Sequence, residues 1–243
     1  MSASELRNSL LWCMIYKRIT DELGFCDDRD YVAGKTLDVI LQSFKPDPHT
    51  TLQELKNMFI NRKVLVIGAG PSCVHTDLKS VSASYDVLVG ADGGYRCALS
   101  KGVETHVIVT DLDGVTLNDL MNFNGFIVIH AHGDNILKLI SWIPLLKGRK
   151  VLGTAQVCIP SSNLLVFGGF TDGDRAAYLA LNLGAKSIDV IGFDFNEVVG
   201  RYSKPELKED TFATKTKVKK LFWCRRLLDY MVWLRDAENR RVC

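Results

Sequence analysis

Two aspartates separated by one residue carry the strongest chemical signal in this chain of 243 residues. Asp111 and Asp113 stand in the stretch VIVTDLDGVTLN, directly after a β-branched run that is typical of a buried strand. At about 5 Å and an effective dielectric constant near 20, two carboxylates repel each other by about 3 kcal/mol. A hard cation such as Mg²⁺ removes that repulsion and prefers carboxylate and phosphate oxygens. A helix cap explains one acid but not easily two, so the pair predicts a metal-dependent catalytic site.

Two further acidic clusters follow later strands. In HAHGDN, Asp134 is predicted to be a third carboxylate facing the same cation, and it could also accept a proton from a substrate. His130 and His132 could ligate a metal, although histidines in such turns more often form hydrogen bonds. In GGFTDGDRA, one acid of the Asp172 and Asp174 pair is expected to cap the next helix. The sequence leaves open which one, and Asp172 is the ligand-facing candidate.

Glycine turns after the first two strands indicate a nucleotide site. VLVIGAGPSC could bring backbone amides close to a phosphate at a helix N-terminus. It is not the full dinucleotide fingerprint, because Cys73 replaces the third glycine. In ADGG, Asp92 stands where a ribose-binding acid would lie, or else caps the following helix. The predicted nucleotide contacts from these two turns are Gly68, Gly70, Pro71, Ser72, Asp92 and Gly93.

A basic segment near the C-terminus could bind phosphates. It contains four lysines between residues 215 and 220, and such a run is more often a solvated helix face. Triphosphate, however, needs cationic side chains in addition to a metal ion. Lys215 and Lys219 are therefore predicted as phosphate contacts.

Seven apolar segments predict the framework that must position these side chains. From residue 63 onward, continuous β-branched runs alternate with helix-length segments, which is typical of a parallel sheet covered on both faces. The expected fold is α/β, a doubly wound, mostly parallel Rossmann-like sheet over residues 61–243. Residues 1–60 are expected to form an N-terminal helical lobe, with a capping box at Thr51 and Glu54, and a long helix closes the chain. The carboxyl ends of parallel strands meet at one edge, so the acids should converge there.

Composition excludes several classes of protein. The net charge of +2 gives no reason to expect binding to nucleic acid or to a membrane surface. No apolar run is long enough to span a bilayer, and the first residues do not resemble a signal peptide. The seven cysteines include no CxxC pair, which predicts reduced thiols and a cytoplasmic protein. An apolar helix end with Trp223 and Trp233 could serve a homodimer.

The order of these motifs resembles a known family. ADGG, TDLDG, an acidic cluster and GGFTDGDRA resemble blocks of thiamine pyrophosphokinases. The whole series resembles the archaeal 6-hydroxymethyl-7,8-dihydropterin pyrophosphokinases more closely: GAGPS, ADGG, TDLDG, HAHGDN, GGFTDGDRA, IGFDF and KPELKED.

This resemblance implies transfer of diphosphate from ATP to the hydroxymethyl group of a pterin, with Mg²⁺ as cofactor and release of AMP. The step would serve folate or methanopterin synthesis. Asn135, Asp172 and Asp194 are candidates for holding the pterin ring, and thiamine or another flat alcohol stays open as the acceptor. The resemblance and the acid pair together assign Asp111, Asp113 and Asp134 as metal ligands and catalytic residues.

Two alternative functions fit parts of the sequence. VIVTDLDGVTLN alone resembles the nucleophile loop of haloacid-dehalogenase-type phosphatases, with Asp111 as nucleophile and Asp113 as acid and base. That loop normally follows the first strand of its domain, whereas two strand units precede it here. The chain could also be a non-catalytic nucleotide or dinucleotide binder that uses the GAGPS turn, although the missing third glycine argues against this.

Overall fold

A seven-stranded parallel sheet forms the centre of the protein, as seen in a computed structural model that describes residues 3–239, with side chains from 11 to 235. All seven predicted strands are present, which confirms the predicted fold class. The order across the sheet is β6-β5-β4-β3-β2-β1-β7. The strands are β1 (Lys63–Ile67), β2 (Val87–Ala91), β3 (Val107–Thr110), β4 (Phe126–Ala131), β5 (Lys150–Ala155), β6 (Leu164–Leu165) and β7 (Ser187–Ile191).

Both faces of the sheet are buried, which explains the continuous apolar runs. In β1, Val64 and Val66 point into one core, while Leu65 and Ile67 point into the core on the opposite face. All four side chains are fully buried. A strand buried on both sides has no polar alternation, and this is why the sequence identified a parallel sheet.

Helices cover the two faces unequally. One face carries the short helices that connect successive strands, together with one helix from the N-terminal region. These helices are α2 (Asp27–Leu41), α4 (Pro71–His75), α5 (Leu78–Ser82), α6 (Gly93–Ser100), α7 (Leu117–Asn122), α8 (Ile136–Trp142) and a 3-10 turn (Ile143–Leu146). The other face carries α3 (Pro48–Phe59) and α9 (Asp172–Asn182). Two long helices, α1 (Ala3–Leu23) and α10 (Lys215–Asn239), pack outside α9.

The N-terminal helices pack directly on the sheet. Leu37 and Leu41 of α2 belong to the core that contains β4 and β5, and Leu55 and Phe59 of α3 belong to the core on the opposite face. A domain boundary at residue 60 therefore stays a prediction, and the two sides of it share their apolar cores.

The start of α3 differs from the prediction. Asp47 is the N-cap, because its carboxylate accepts hydrogen bonds from the backbone amides of His49 and Thr50, and Pro48 occupies the first helical position. The predicted capping box at Thr51 and Glu54 is wrong. Proline cannot donate an amide hydrogen bond, so it fits the first turn, and the helix begins earlier than the apolar pattern suggested.

The chain reverses direction once across the sheet. It adds strands outward from β1 to β6, and α9 then returns it across the sheet to β7, on the other side of β1. The switch point therefore lies between β1 and β7, and ligands bind at such points beyond the carboxyl ends of the strands. A small antiparallel hairpin of β8 (Val198–Val199) and β9 (Thr211–Phe212) follows β7.

The cysteines do not behave as predicted. Cys13 is bonded to Cys158, and Cys73 is bonded to Cys97, so the expectation of reduced thiols is wrong for these four residues. The partners are 145 and 24 residues apart in the chain. Only the fold brings them together, so their spacing gave no signal. None of the helices among the described residues is long and apolar enough to cross a membrane.

Candidate active site

Three aspartates from separate parts of the chain converge at the carboxyl edge of the sheet. Asp92 follows β2, Asp111 follows β3 and Asp172 begins α9. One carboxylate oxygen from each lies within 4.8 Å of the other two, so the three could hold a metal ion together. The strand-end pattern predicts that seven acids meet at this edge: Asp92, Asp111, Asp113, Asp134, Asp172, Asp174 and Asp194. Three of them, up to 80 positions apart in the chain, form this cluster.

A strained backbone and two hydrogen bonds fix Asp92. Its φ is 50°, a conformation that is uncommon for residues other than glycine. The carboxylate accepts hydrogen bonds from the Thr110 hydroxyl at 2.6 Å and from the Gly114 amide at 2.9 Å. A Cβ atom on Gly114 would lie 2.2 Å from the other Asp92 oxygen, so only glycine fits there. Asp92 makes no side-chain cap to α6, and the alternative role of helix cap is therefore not seen.

A left-handed residue sets the direction of Asp111. Leu112 has a φ of 74° and is fully buried, and its amide donates to the Thr110 hydroxyl at 2.7 Å. The Asn135 side chain donates to the Asp111 carbonyl at 2.7 Å and ties this turn to the end of β4. The turn keeps the two acids close, since the Asp113 amide donates to the Asp111 carboxylate at 3.0 Å.

The structure separates the roles of the two acids at the start of α9. Asp174 caps the helix: its carboxylate accepts from the Thr171 hydroxyl and from the backbone amides of Phe170 and Thr171, both at 2.7 Å. Asp172 instead joins the acidic cluster. Its Oδ1 atom is buried and has no hydrogen-bond partner among the described residues. A buried carboxylate oxygen without a donor is suited to a cation.

The electrostatics of the cluster favour a bound cation. Burial is the largest cause, and the charge of Asp111 the second, of a rise in the pKa of Asp92 to about 7. Burial, and then Asp111 and Asp92, raises the pKa of Asp172 well above its usual value. Each pair of charges at about 4.8 Å costs about 3.5 kcal/mol at an effective dielectric constant of 20. A divalent ion would remove this cost, and the all-oxygen donor set suits Mg²⁺.

Asp113 and Asp134, the other predicted metal ligands, lie outside this cluster. Asp113 forms ion pairs with Lys138 and Lys204, each at 3.4 Å. Burial acts to raise the pKa of Asp113, but the two lysines together outweigh burial, so the pKa of Asp113 is lowered. The Asp134 side chain is 77% exposed and pairs with Arg29 at 3.4 Å. The cluster that could hold a metal therefore keeps only Asp111 from the predicted set and gains Asp92 and Asp172.

The glycine turn after β1 has a structural role. The amide of Gly68 donates to Ile191 at 2.7 Å, and the amide of Gly70 donates to Gly192 at 2.9 Å, which joins β1 to the end of β7. Pro71 occupies the first position of α4 and has no amide hydrogen.

Ser72 in the same turn is also engaged. Its amide and its hydroxyl both donate to Asp194, at 2.9 and 2.8 Å. These groups are therefore not free to bind phosphate in this conformation, and Asp194, a predicted pterin contact, serves to hold the turn.

A cleft of about 110 Å³ opens at the switch point, between the ends of β1 and β7. Asp92 and Asp172 line it, together with β8 and with residues of α10 that include Lys217. The rest of the lining is rich in glycine and contains two aromatic side chains. It includes Gly68, Ala69, Gly70, Gly173, Gly192, Phe193, Phe195, Gly200 and Leu221.

One lysine of the basic segment faces this cleft. Lys217 lines it and lies near enough to Asp111 and Asp172 to lower the pKa of both carboxylates, against the larger effect of burial. Lys215 and Lys219, the predicted phosphate contacts, are exposed and do not line it. Gly93, another predicted contact, packs instead against the chain after β8, where a Cβ atom would lie 1.7 Å from the carbonyl oxygen of Tyr202.

The fold and the site together define a class of protein. A parallel sheet with a cleft at its switch point and three acids beside that cleft is typical of enzymes that bind nucleotides with a metal ion. The sequence matches the family of 6-hydroxymethylpterin diphosphokinase MptE-like proteins over residues 39–199, and the chain belongs to that family.

Three relatives match nearly the full length of the chain. The 6-hydroxymethyl-7,8-dihydropterin pyrophosphokinase of Pyrococcus furiosus is 40% identical over 236 residues, covering 95% of this chain and 96% of that protein. The proteins of the same name from Methanothermobacter thermautotrophicus and Methanocaldococcus jannaschii are 37% and 34% identical, covering 96% and 90% of this chain and 97% and 94% of those proteins. These relatives are enzymes, and the family favours a pyrophosphokinase over a phosphatase or a non-catalytic binder.

Proposed function

We propose that this protein transfers diphosphate from ATP to the hydroxymethyl group of 6-hydroxymethyl-7,8-dihydropterin and releases AMP, in a Mg²⁺-dependent reaction of folate or methanopterin synthesis. The observation that carries the metal dependence is the cluster of Asp92, Asp111 and Asp172, in which Asp172 Oδ1 is buried without a partner. The names of the three relatives support the reaction itself.

The proposed arrangement places the adenosine part of ATP in the cleft at the switch point. The glycine-rich wall allows the close approach of a flat base, and Phe193 and Phe195 supply aromatic surface. The triphosphate would extend toward Asp92, Asp111 and Asp172, with Lys217 beside it. Mg²⁺ held by the three acids would neutralise phosphate charge, which such transfers require.

The protein's own groups supply positioning. Thr110 and Gly114 hold Asp92, and the buried Leu112 fixes the turn that carries Asp111. Lys138 and Lys204 are held near the edge of the cluster by Asp113, so we propose that Asp113 acts by placing these two cations beside the phosphates. Preorganised charges of this kind stabilise a transition state without a reorganisation cost.

The test is a product assay with the purified protein, ATP, Mg²⁺ and 6-hydroxymethyl-7,8-dihydropterin. We expect AMP and the pterin diphosphate in equal amounts, and no AMP in the presence of EDTA. Formation of ADP, or release of inorganic phosphate from a phosphomonoester without ATP, would contradict the proposal and favour a simple kinase or the phosphatase. Thiamine in place of the pterin tests the identity of the acceptor alcohol.

A further inference from the structure

The geometry of the reaction predicts where the acceptor binds, provided that the proposed function is correct. The attacking hydroxyl and the departing AMP lie on opposite sides of the β-phosphorus in an in-line displacement. The adenosine cleft lies beyond β7 and β1, and the acids lie beyond β2 and β3. The acceptor should therefore lie on the far side of the acids, beyond β4 and β5.

We infer that a buried polar cluster at this position, formed by His130, Gln156 and Arg175, binds the ring of the pterin. His130 lies in β4, Gln156 follows β5, and Arg175 lies in the first turn of α9, three residues after Asp172. Arg175 donates to the carbonyl oxygens of Ala155 and Gly169, which fixes it between the end of β5 and the start of α9.

The members of the cluster lie side by side and border the acids. Burial lowers the pKa of His130 well below its usual value, and the charge of Arg175 lowers it further, whereas a hydrogen-bonding interaction with Gln156 acts in the opposite direction. Arg175 also interacts with the charge of Asp172. The cluster and the acidic site therefore share a boundary at the start of α9.

Each side chain of the cluster has an unused polar atom. His130, Gln156 and Arg175 are 2%, 1% and 0% exposed, and His130 Nε2, Gln156 Oε1 and Arg175 Nε form no well-directed hydrogen bond among the described residues, although His130 and Gln156 lie near enough to interact with each other. Leaving a polar atom buried and unpaired costs about 1–3 kcal/mol. Gln156 Nε2 also donates to Asp30 at 3.4 Å, so the cluster belongs to a buried polar network that leaves these three atoms incompletely paired, and we infer that a ligand completes their hydrogen bonds.

The neighbouring polar side chains are already used. The Asn135 amide donates to the carbonyls of Asp111 and His130, and its oxygen accepts from the His132 amide at 3.1 Å. His132 Nδ1 accepts from the amide of Asp134 at 3.1 Å. Asn135, a predicted pterin contact, is therefore a structural residue, and recognition falls to the three atoms that remain.

Their chemistry matches the edge of a pterin. The 2-amino group and N3 of the ring donate hydrogen bonds, and its O4 atom accepts one. Gln156 Oε1 can accept from the ring donors, and Arg175 Nε–H can donate to O4. Because the three atoms have no exposed surface, the ring must displace side chains above them, and the indole of Trp12, which donates to the Gln156 carbonyl at 2.7 Å, lies next to this position.

The experiment compares Gln156→Met, which keeps the side-chain length and removes the polar atoms, with the wild-type protein. Titration calorimetry measures affinity for the stable probe 6-hydroxymethylpterin and, separately, for ATP with Mg²⁺. We expect at least tenfold weaker binding of the pterin, unchanged ATP affinity, and a melting temperature lower by about 2–4 °C, because the variant also loses the hydrogen bond from Gln156 Nε2 to Asp30 at 3.4 Å. Thr105→Val is the matched control, because Thr105 also has a buried unpaired oxygen but lies at the opposite edge of the sheet.

A second probe keeps the test independent of how well the variant folds. 6-Hydroxymethyllumazine carries a carbonyl in place of the 2-amino group, so the wild-type protein should bind it at least tenfold more weakly than the pterin. In Gln156→Met this discrimination should disappear, since both changes remove the same contact. Retained discrimination, or pterin affinity within twofold of wild type, would overturn the subsite while leaving the proposed reaction intact. Absence of AMP formation by the wild-type protein would instead overturn the reaction.

Discussion

Removing one acid of the acidic cluster should stabilise the protein without Mg²⁺ and abolish its activity. Asp172 faces Asp92 and Asp111, with the carboxylate oxygens of all three within 4.8 Å. If all three were ionised, Asp172→Asn would relieve two repulsions of about 3.5 kcal/mol each. Burial raises the pKa of Asp172 and of Asp92, so the cluster at neutral pH carries less than its full charge. We therefore expect a net gain of about 1–2 kcal/mol, or about 2–8 °C in melting temperature.

Thermal unfolding in EDTA measures this gain, and AMP formation with Mg²⁺ measures the loss of turnover. Asp174→Asn is the control, because this acid lies two residues away and uses its carboxylate to cap α9. It should lose about 1–2 kcal/mol, since an amide replaces one of the accepting oxygens. A fall in melting temperature for Asp172→Asn, or near-normal turnover, would refute the assignment of Asp172 to a metal cluster.

Lys217→Ala should raise the KM for ATP at least tenfold, because Lys217 lines the cleft. The control Lys219→Ala, at an exposed lysine, should leave the KM for ATP unchanged. Equal effects of the two substitutions in steady-state kinetics would contradict a phosphate contact by Lys217. Gly114→Ala should lower kcat about 100-fold, since the new Cβ atom would lie 2.2 Å from Asp92 Oδ2 and displace the Asp92 carboxylate. A normal kcat would contradict the need for glycine at position 114. The pKa of Asp92 rises from 3.8 to about 7 on folding, so the folded state keeps a proton that the unfolded state releases. Without Mg²⁺, wild-type stability should therefore fall between about pH 4 and pH 7 relative to Asp92→Asn, and parallel melting curves across this window would contradict the raised pKa.

The sheet could be predicted because its strands are buried on both faces. A run such as Val64 to Ile67 has no polar alternation, and several runs of this kind separated by helix-length segments are typical of a parallel sheet with two covered faces. The convergence of Asp92 and Asp111 followed from the same property, since both stand directly after such runs. The short β8–β9 hairpin, with two residues per strand, leaves no comparable pattern.

The composition of the acidic cluster could not be predicted, because side-chain direction depends on backbone turns. Asp113 follows Asp111 by two residues, yet the left-handed Leu112 between them directs Asp113 toward Lys138 and Lys204. The choice between Asp172 and Asp174 as the helix cap did have a signal, because Thr171 and Asp174 have the spacing of the capping box that the structure shows. The basic segment posed the same problem of side-chain direction, because neighbouring lysines on a helix point in different directions and only contact with the cleft selects one.

One element, α9, connects the topology of the sheet with the chemistry of the site. It returns the chain from β6 to β7, and that reversal creates the switch point at which the cleft lies. Its first turn also supplies Asp172 to the acids and Arg175 to the buried polar cluster. A change that shifts the start of this helix should therefore weaken nucleotide, metal and acceptor binding together, whereas changes at single strand ends should affect one of them. The proposed nucleotide, metal and acceptor subsites therefore meet at the first turn of this one helix, at the carboxyl edge of the sheet.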